Sequence, residues 1–445
     1  MALFGRKKIV EEPEPVEPEP APTLPEPPAP GASGMRIMED HRDYLLSLVE
    51  PLPPFGMNLL DAWGLALCED IDSETDLPAF DNSQMDGFAV RAADVAAATQ
   101  GEPLVLPVVA HLAAGEAGSE ALAEGSAIKI MTGAPIPEGA DAVVPIEFTD
   151  AAAGQGGQEK VKVYEAVEEG AYVRRRASDI RDGDRLMHRG QVLDARSIGL
   201  LAGAGIDKVL ARPRPRVVVV STGAELVEPG RTISTPGQIH DANGFMIAAA
   251  AKAEGAQVWR VQVPSDDPET VREVIGDQLI RADLLVTTGG VSKGDHDVVK
   301  QVMPTLGLCD FAEVAMQPGK PQGFGLIGED RVPMVMLPGN PVSAYVSFQA
   351  FVRPLIRRLM GVEPVGHTPV PCVAGSPMQS VKGKLQFGRA VVREERGRRV
   401  VDLVGGHSSH LLGDLAHCNA LVLLDEDIDL VHAGDRVMVW RLDHD

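Results

Sequence analysis

Four short stretches hold the residues best suited to gripping an anion. They are STGAEL (221–226), TTGGVSKGDHD (287–297), QPGKPQGFG (317–325) and LPGNPVSAYVSF (337–348). All are rich in Gly, Ser and Thr, and three follow predicted strands. Glycine lets the backbone approach an oxyanion closely. Bare amides at a helix start can surround one, and a helix N-terminus adds about 0.3–1 kcal/mol for a nearby negative charge. The ligand implied carries phosphate or a similar oxyanion. Carboxylates accompany these loops: Glu225, Asp295, Asp297 and the pair Asp266/Asp267. Hard oxygen ligands beside a phosphate site point to Mg²⁺. Helix capping is the competing reading for Asp267 and Asp295, and less so for Asp297. A further polar cluster lies in FDNSQMDGFAV (80–90), where Asp81, Asn82, Ser83, Asp86 and Gly87 sit between apolar flanks. A tight turn explains Asp-Asn-Ser and Asp-Gly. It does not explain Asp86 together with IMTGAPIPEGADAVV (130–144).

Two common nucleotide sites are absent from the pattern. There is no GxxxxGK[ST], which disfavours a P-loop NTPase. There is no GxGxxG at the first strand of the α/β region, which removes a nicotinamide enzyme. His240, His296, His407 and His410 lack convincing metal spacing and read as loop or capping residues.

The elements that must position these loops follow from periodicity. Strands are expected at 216–220, 257–263, 284–287 and 333–337. Helices are expected at 242–254, at 268–280, from about 295, and at 341–360, where Asn340 stands at the N-cap and proline at N1. Strands alternating with helices imply a parallel, doubly wound sheet with its ligand site at the carboxyl ends of the strands. Before it, 78–173 reads as short strands with Gly/Pro turns, including 127–131, 142–146 and 160–164. Helical patterns lie at 35–49, 59–68 and 194–205. The last 80 residues alternate like strands at 385–392, 399–404, 420–424 and 436–440. The fold class is thus multidomain, α/β plus β. The expected parts are a disordered tail (1–34), a discontinuous helical domain (35–77 and 182–212), a β-rich domain (78–181), the α/β domain (213–364) and a C-terminal β-barrel-like domain (365–445).

Composition narrows the class of partner. The chain has 445 residues and a net charge of −23. Nucleic acid is an unlikely partner without a basic footprint, and aromatics at 4% offer little stacking surface. No apolar run approaches the ~20 residues of a membrane helix. Four scattered cysteines without a CxxC fit a reducing cytoplasm. Residues 11–34 are mostly Pro, Glu and Ala. Such a segment buries too little to offset its ordering entropy. Without the tail the charge is still −20.

The motifs FDNSQMDGFAV, IMTGAPIPEGADAVV, STGAEL, TTGGVSKGDHD, QPGKPQGFG and LPGNPVSAYVSF occur here in one order. Together they closely resemble the MoeA family of molybdopterin molybdenumtransferases, which includes the gephyrin E domain. The resemblance covers about 35–440. It implies an enzyme that takes adenylylated molybdopterin and molybdate, releases AMP with Mg²⁺, and yields molybdenum cofactor. It also implies a homodimer, with the site between the α/β domain of one subunit and the β-rich domain of the other. A transient contact with the molybdopterin adenylyltransferase is expected, as is a cytoplasmic location.

Carried over position by position, Asp86 and Thr132 match functional residues of the β-rich domain. Glu225, Asp266 and Asp297 match acidic positions of the α/β domain and are the expected metal ligands. Lys320 matches the lysine of the PGKP loop. Arg174, Arg389 and Ser409 match positions lining the cleft. Asp86, Thr132, Lys320 and Arg389 are the expected catalytic set. Gly289, Gly290, Ser292, Gly294, Pro318, Gly319, Gly339 and Asn340 are expected to bind the pterin nucleotide. Some members carry lysines where this chain has Glu313 and Gln317, which removes two positive charges near an anionic substrate; Lys293 is a candidate to compensate. Three other readings compete: the adenylyltransferase step, a non-catalytic scaffold, and a nucleotide pyrophosphatase. The extra domains, the retained acidic residues and the FDNSQMDGFAV segment argue against each in turn. A tungsten preference stays open.

Overall fold

The computed structural model describes residues 23–116, 121–154, 159–291, 297–406 and 408–443. Contacts divide the chain into two units: Met1–Glu50 with Arg214–Leu359 and Glu363–Asp445, and Pro51–Pro213 with Met360–Val362. Among the described residues, no helix is long and apolar enough to cross a membrane.

The second unit is built on a five-stranded sheet. Its strands are β1 (Gly87–Val90), β2 (Leu104–Leu112), β3 (Ala127–Ile130), β4 (Ala142–Pro145) and β5 (Lys160–Val163), in the order β4-β1-β3-β2-β5. β2 and β3 run parallel and the other neighbours antiparallel. Every residue of β1 and β4 is buried. Alternation explains how: Phe88 and Val90 enter one core with Val144 and Val161, while Ala89 enters another with Ile128, Ile130 and Val143. Only glycine fits at 87, since a Cβ there would lie 2.1 Å from the Val144 carbonyl oxygen.

Elsewhere in this unit, Phe55–Asn58 pairs with Lys208–Ala211 and Ile71–Asp72 with Arg185–Met187. Helix Ala195–Gly203 starts where the Asp194 carboxylate accepts from the Ser197 amide at 2.8 Å. The helix expected over 59–68 is not formed. Gly64 takes φ +76°, Leu60 and Trp63 are exposed, and Ala66 and Leu67 bridge to Val192 and Ala211. The segment gains two antiparallel β-bridges there, which a short helix with both of these large residues in water could not match.

In the first unit, helix α1 (Met38–Ser47) is anchored at its start. The Arg36 guanidinium pairs with Asp310, with Nη2 at 2.9 Å from Oδ1. His41, buried in α1, meets the Phe351 ring edge-on at 5.2 Å. Residues 23–34 belong to the segment expected as tail. Here the Tyr44 hydroxyl donates to the Pro25 carbonyl at 3.1 Å.

The α/β sheet follows. Its elements are β6 (Arg216–Thr222), α2 (Asn243–Ala253), β7 (Gln257–Val263), α3 (Pro268–Gln278), β8 (Leu284–Thr288), α4 (Val298–Leu306), β9 (Gly307–Glu313), β10 (Pro321–Ile327) and β11 (Val332–Leu337). The order is β7-β6-β8-β11-β10-β9. The first four are parallel, with the crossover helices expected from sequence. β10 and β9 are antiparallel additions, so the sheet is mixed and not wholly parallel. The core joins Val218, Val220, Leu285, Met334 and Met336 to Val271, Ile275, Val299 and Met303 of the helices.

Part of the stretch read as the QPGKPQGFG loop is therefore strand β10. Its glycines are packing devices. A Cβ on Gly325 would lie 2.6 Å from Met303 Cε and 2.9 Å from the Leu308 carbonyl oxygen. Gly325→Ala is expected to cost about 1–3 kcal/mol by overpacking, read from urea unfolding midpoints. After β11 come α5 (Pro341–Ser347), a π-turn (Phe348–Val352) and α6 (Arg353–Met360). The expected long helix is present but carries this π-turn, whose five residues are all buried.

The C-terminal strands are β12 (Val370–Ala374), β13 (Leu385–Glu395), β14 (Arg398–Leu403), β15 (Ala420–Leu424) and β16 (Arg436–Arg441). They pair in the order β13-β14-β12-β16-β15, and β15 returns to β13. This closes a five-stranded barrel and leaves no free edge among these five.

Candidate functional site

At the carboxyl ends of β6, β8 and β11 lies a cavity of about 290 Å³. Its position is the one that an open parallel sheet dictates. Glu225 comes from the loop after β6, Thr288 and Gly289 from the end of β8, and Gly339 and Asn340 from the loop after β11. Four of the residues expected from sequence therefore share one pocket. The cavity also takes Thr222, Asp241, Asn243 and His410, none of which sequence reasoning selected as a site residue. Thr222 does lie in the STGAEL stretch; for Asp241 and Asn243 the one visible signal is the Asp-Ala-Asn-Gly run at 241–244, which reads as an ordinary helix start.

Asp241 is almost wholly buried, with 1% exposure. It accepts from the Gly244 amide at 2.8 Å and from Arg260 Nη1 at 3.2 Å. Arg260 also pairs with Glu228 and lies over the Phe245 ring at 4.0 Å. This network fixes the start of α2 against the cavity.

Gly289 and Gly290 both take positive φ, +90° and +83°. The Gly289 amide donates to the Leu337 carbonyl at 3.0 Å. It ties β8 to β11 and is not available as the expected phosphate donor. Asp297 precedes α4 without a side-chain cap bond. Its Oδ1 lies 3.0 Å from where a Cβ on Gly290 would sit. The carboxylate therefore sits against the Gly289–Gly290 turn. Asp266 is exposed after β7 and is not among the cavity-lining residues. Its neighbour Asp267 caps α3, accepting from the Thr270 amide at 2.9 Å. The Thr270 hydroxyl, donating to the same carboxylate at 2.6 Å, and then this amide hold the Asp267 carboxyl below its ordinary range. Ser292, Lys293, Gly294, Asp295, His296 and His407 lie outside the described residues.

Asn340 does not cap α5. Its Nδ2 donates to Ser409 Oγ at 3.0 Å, and the Val342 amide donates to the Ser409 carbonyl at 3.0 Å. The barrel loop 405–411 is thereby fastened to the α/β site and delivers His410. Arg389, on β13, holds that loop from behind. It is 6% exposed; Nη1 donates to the Ser408 carbonyl at 3.1 Å and Nη2 to the Gly406 carbonyl. Its Nε has no partner among the described residues. It lines a small recess of about 20 Å³ with Gln317 and Pro318. Gly319 packs against Ser347, where a Cβ would come within 2.7 Å of Oγ. Lys320 Nζ pairs with Glu313 at 2.9 Å, both side chains being partly exposed. The acidic residue that departs from the family pattern is thus the lysine's own partner.

In the second unit, two expected residues meet. Asp86 precedes β1 and Thr132 follows β3, and the pairing of Gly87 with Ile130 sets them side by side. Asp86 Oδ1 accepts from the Thr132 amide at 2.7 Å and from its hydroxyl at 2.8 Å. These two bonds, the amide first, hold the Asp86 carboxyl below its ordinary range. It stays ionised well into acid, as a fixed acceptor and a weak base. Thr132→Val removes the hydroxyl bond and should raise that carboxyl. The acid limb of activity then moves to higher pH, as a pH–rate profile would record; an unmoved limb would disconnect Asp86 from it. Arg174 pairs with Asn82 in a two-residue ladder and is exposed. The adjacent Arg175 pairs with Asp81 at 2.8 Å.

Comparison with known proteins agrees over nearly the whole chain. Residues 36–205 match the MoeA N-terminal region (domain I and II), 218–358 the probable molybdopterin binding domain, and 372–442 the MoeA C-terminal region (domain IV). Molybdopterin molybdenumtransferase 2 of Mycobacterium tuberculosis is 38% identical, over 92% of this chain and 100% of its own. The molybdopterin molybdenumtransferase of Haemophilus influenzae is 34% identical, over 87% of this chain and 94% of its own. Two solved structures of a molybdopterin biosynthesis MoeA protein from Pyrococcus horikoshii cover 92% of this chain and 100% of theirs. Their TM-scores are 0.74 and 0.69, at 29% and 25% identity. With the cavity at the strand ends and the closed barrel, these matches make the chain a member of the MoeA family of molybdopterin molybdenumtransferases, enzymes of molybdenum cofactor biosynthesis.

Proposed function

We propose that the chain splits adenylylated molybdopterin at its pyrophosphate and releases AMP as molybdate is inserted. The observation that carries this is the cavity where Glu225, Thr288, Gly289, Gly339 and Asn340 converge. It offers polar backbone and hydroxyls for a phosphate-linked ligand, with carboxylates at its edge.

Among the described residues, no three His, Cys, Asp or Glu side chains cluster as a metal cage. Mg²⁺ needs no such cage, since it keeps several waters and takes one or two carboxylates plus substrate phosphates. Glu225 and Asp297 would hold it, with Asp266 as an outlying candidate. When bound, Mg²⁺ neutralises phosphate oxygens and offsets the acidity of the loops. The chain's own residues do the rest. The turn at Gly289 and Gly290 lets backbone approach the phosphates. Asn340 and Ser409 hold the far wall. Arg389 Nε and Lys320 are the cations near Pro318 and Gly319 for molybdate. Water splits one P–O–P bridge and AMP carries away one phosphate, while the pterin dithiol forms two bonds to molybdenum and the displaced molybdate oxide leaves as water with the two thiol protons.

Asp86 and Thr132, with Arg174, act in this reading from a second subunit of a homodimer. Asp86 orients the attacking oxygen as an ionised acceptor. A transient contact with the adenylyltransferase that makes the substrate, and a cytoplasmic location, complete the reading. The test is incubation with adenylylated molybdopterin, molybdate and Mg²⁺, following AMP by chromatography. Stoichiometric AMP and cofactor are expected. Formation of adenylylated pterin from molybdopterin and ATP would point to the preceding step instead.

A further inference from the structure

Asn243, the first residue of α2, lines the same cavity and is held in one orientation. Its Nδ2 donates to the Gly339 carbonyl at 2.6 Å. An amide oxygen in that place would face another oxygen, so the amide is fixed with nitrogen toward Gly339. The other end is left without a match. Asn243 Oδ1 is screened from water and has no hydrogen-bond partner among the described residues. A shielded acceptor without a donor is costly and awaits one.

The surroundings select the kind of donor. Asp241 beside it is buried, and its carboxylate already receives Gly244 and Arg260. Asp241 already holds the Arg260 guanidinium, so it needs no cationic ligand to balance it. A phosphate oxygen would set acceptor against acceptor. What remains is a neutral donor, N–H or O–H, and of these the amino group of a planar ring is the one a fixed amide oxygen reads most selectively.

We infer that Asn243 is a specificity residue whose Oδ1 accepts from the exocyclic amino group of the bound heterocycle; this rests on the reading that the cavity takes adenylylated molybdopterin. Pterin and adenine each carry such an amino group, so the shared chemistry is an aromatic amine, and the test separates the two sources. It also gives the second half of the Asn243 amide a purpose that fastening Gly339 alone does not.

Calorimetric binding to the full chain tests this without turnover. AMP and molybdopterin are titrated separately, each beside an analogue lacking the exocyclic amino group. Wild type should prefer the amino form of one of them by about tenfold. Asn243→Ala should bind the two forms of that ligand equally. Asn243→Asp keeps an acceptor and similar volume, and should retain the preference even if the Gly339 bond is weakened. A preference that survives in Asn243→Ala overturns the inference. So does an equal loss for both forms, which would leave Asn243 a fastener of the Gly339 loop, or a loss confined to Mg²⁺ affinity. Wild type binding neither AMP nor molybdopterin would overturn the reading of the cavity, and the inference with it.

Discussion

Replacing Asp297 with Asn is expected to lower Mg²⁺-dependent AMP release about a thousandfold, a loss comparable to removing one strong electrostatic contact in a closed site. The substitution isolates charge. Asn serves at a helix start about as well as Asp, and the two side chains have nearly the same volume. The contact with Gly290 is therefore kept, and α4 should keep its start at Val298. What is lost is one formal negative charge at the Gly289–Gly290 turn. If that charge holds Mg²⁺, the Mg²⁺ concentration for half-maximal rate rises steeply while circular dichroism and Tm stay near wild type. Glu225→Gln should act in the same direction. The combined variant should be little worse than either alone, because one ion cannot be lost twice. Unchanged turnover in Asp297→Asn would remove Asp297 from the metal site and leave it a structural residue of the turn.

Much of this arrangement could be read from residue order, and the parts that could not have physical causes. The run Val217–Val220 announced a strand buried on both faces, and the helices after it followed from apolar spacing. β9 and β10 were not legible. Gly323 and Gly325 signal a loop by type, yet they serve close packing against Phe311, Met336 and Met303. The helix expected at 59–68 failed for the opposite reason, since its apolar residues were counted without knowing that Leu60 and Trp63 face water. Glu225, Gly289, Gly339 and Asn340 line one cavity because loops after parallel strands converge there. Asp241 and Asn243 were missed because a helix start explains their types sufficiently. His410 reads from sequence as a loop residue without metal spacing. Only the bonds of Ser409 to Asn340 and Val342 reveal that it reaches the α/β cavity.

Arg389 is where that reach is decided, and Arg389→Met should both destabilise the protein and weaken its grip on the pterin nucleotide. Methionine keeps the length and apolar stem of the side chain but none of its donors. The carbonyls of Gly406 and Ser408 lose their charged partner, and Asp414, 3.9 Å from Nη2, loses a nearby positive charge. A cost of about 2–4 kcal/mol follows, visible as a lowered urea midpoint. The loop has little freedom to compensate. Gly405 takes φ +65°, and a Cβ there would lie 1.7 Å from an Asp414 oxygen, so this turn fits only one arrangement. Once released, it no longer presents Ser409 to Asn340 or His410 to the cavity. KM for the pterin nucleotide should rise tenfold or more.

Two roles for Arg389 can be told apart. As a positioning residue it acts through Ser409, so Ser409→Ala should reproduce much of the rise in KM with little loss of stability, and the double variant should add little to KM. If instead the unpartnered Nε touches molybdate, Arg389→Met raises the molybdate concentration needed for half-maximal rate, whereas Ser409→Ala does not. Arg389→Lys sharpens the contrast. A lysine retains the positive charge but cannot serve two carbonyls with one planar group. It should rescue dependence on molybdate while leaving the loop, and therefore KM for the pterin, impaired.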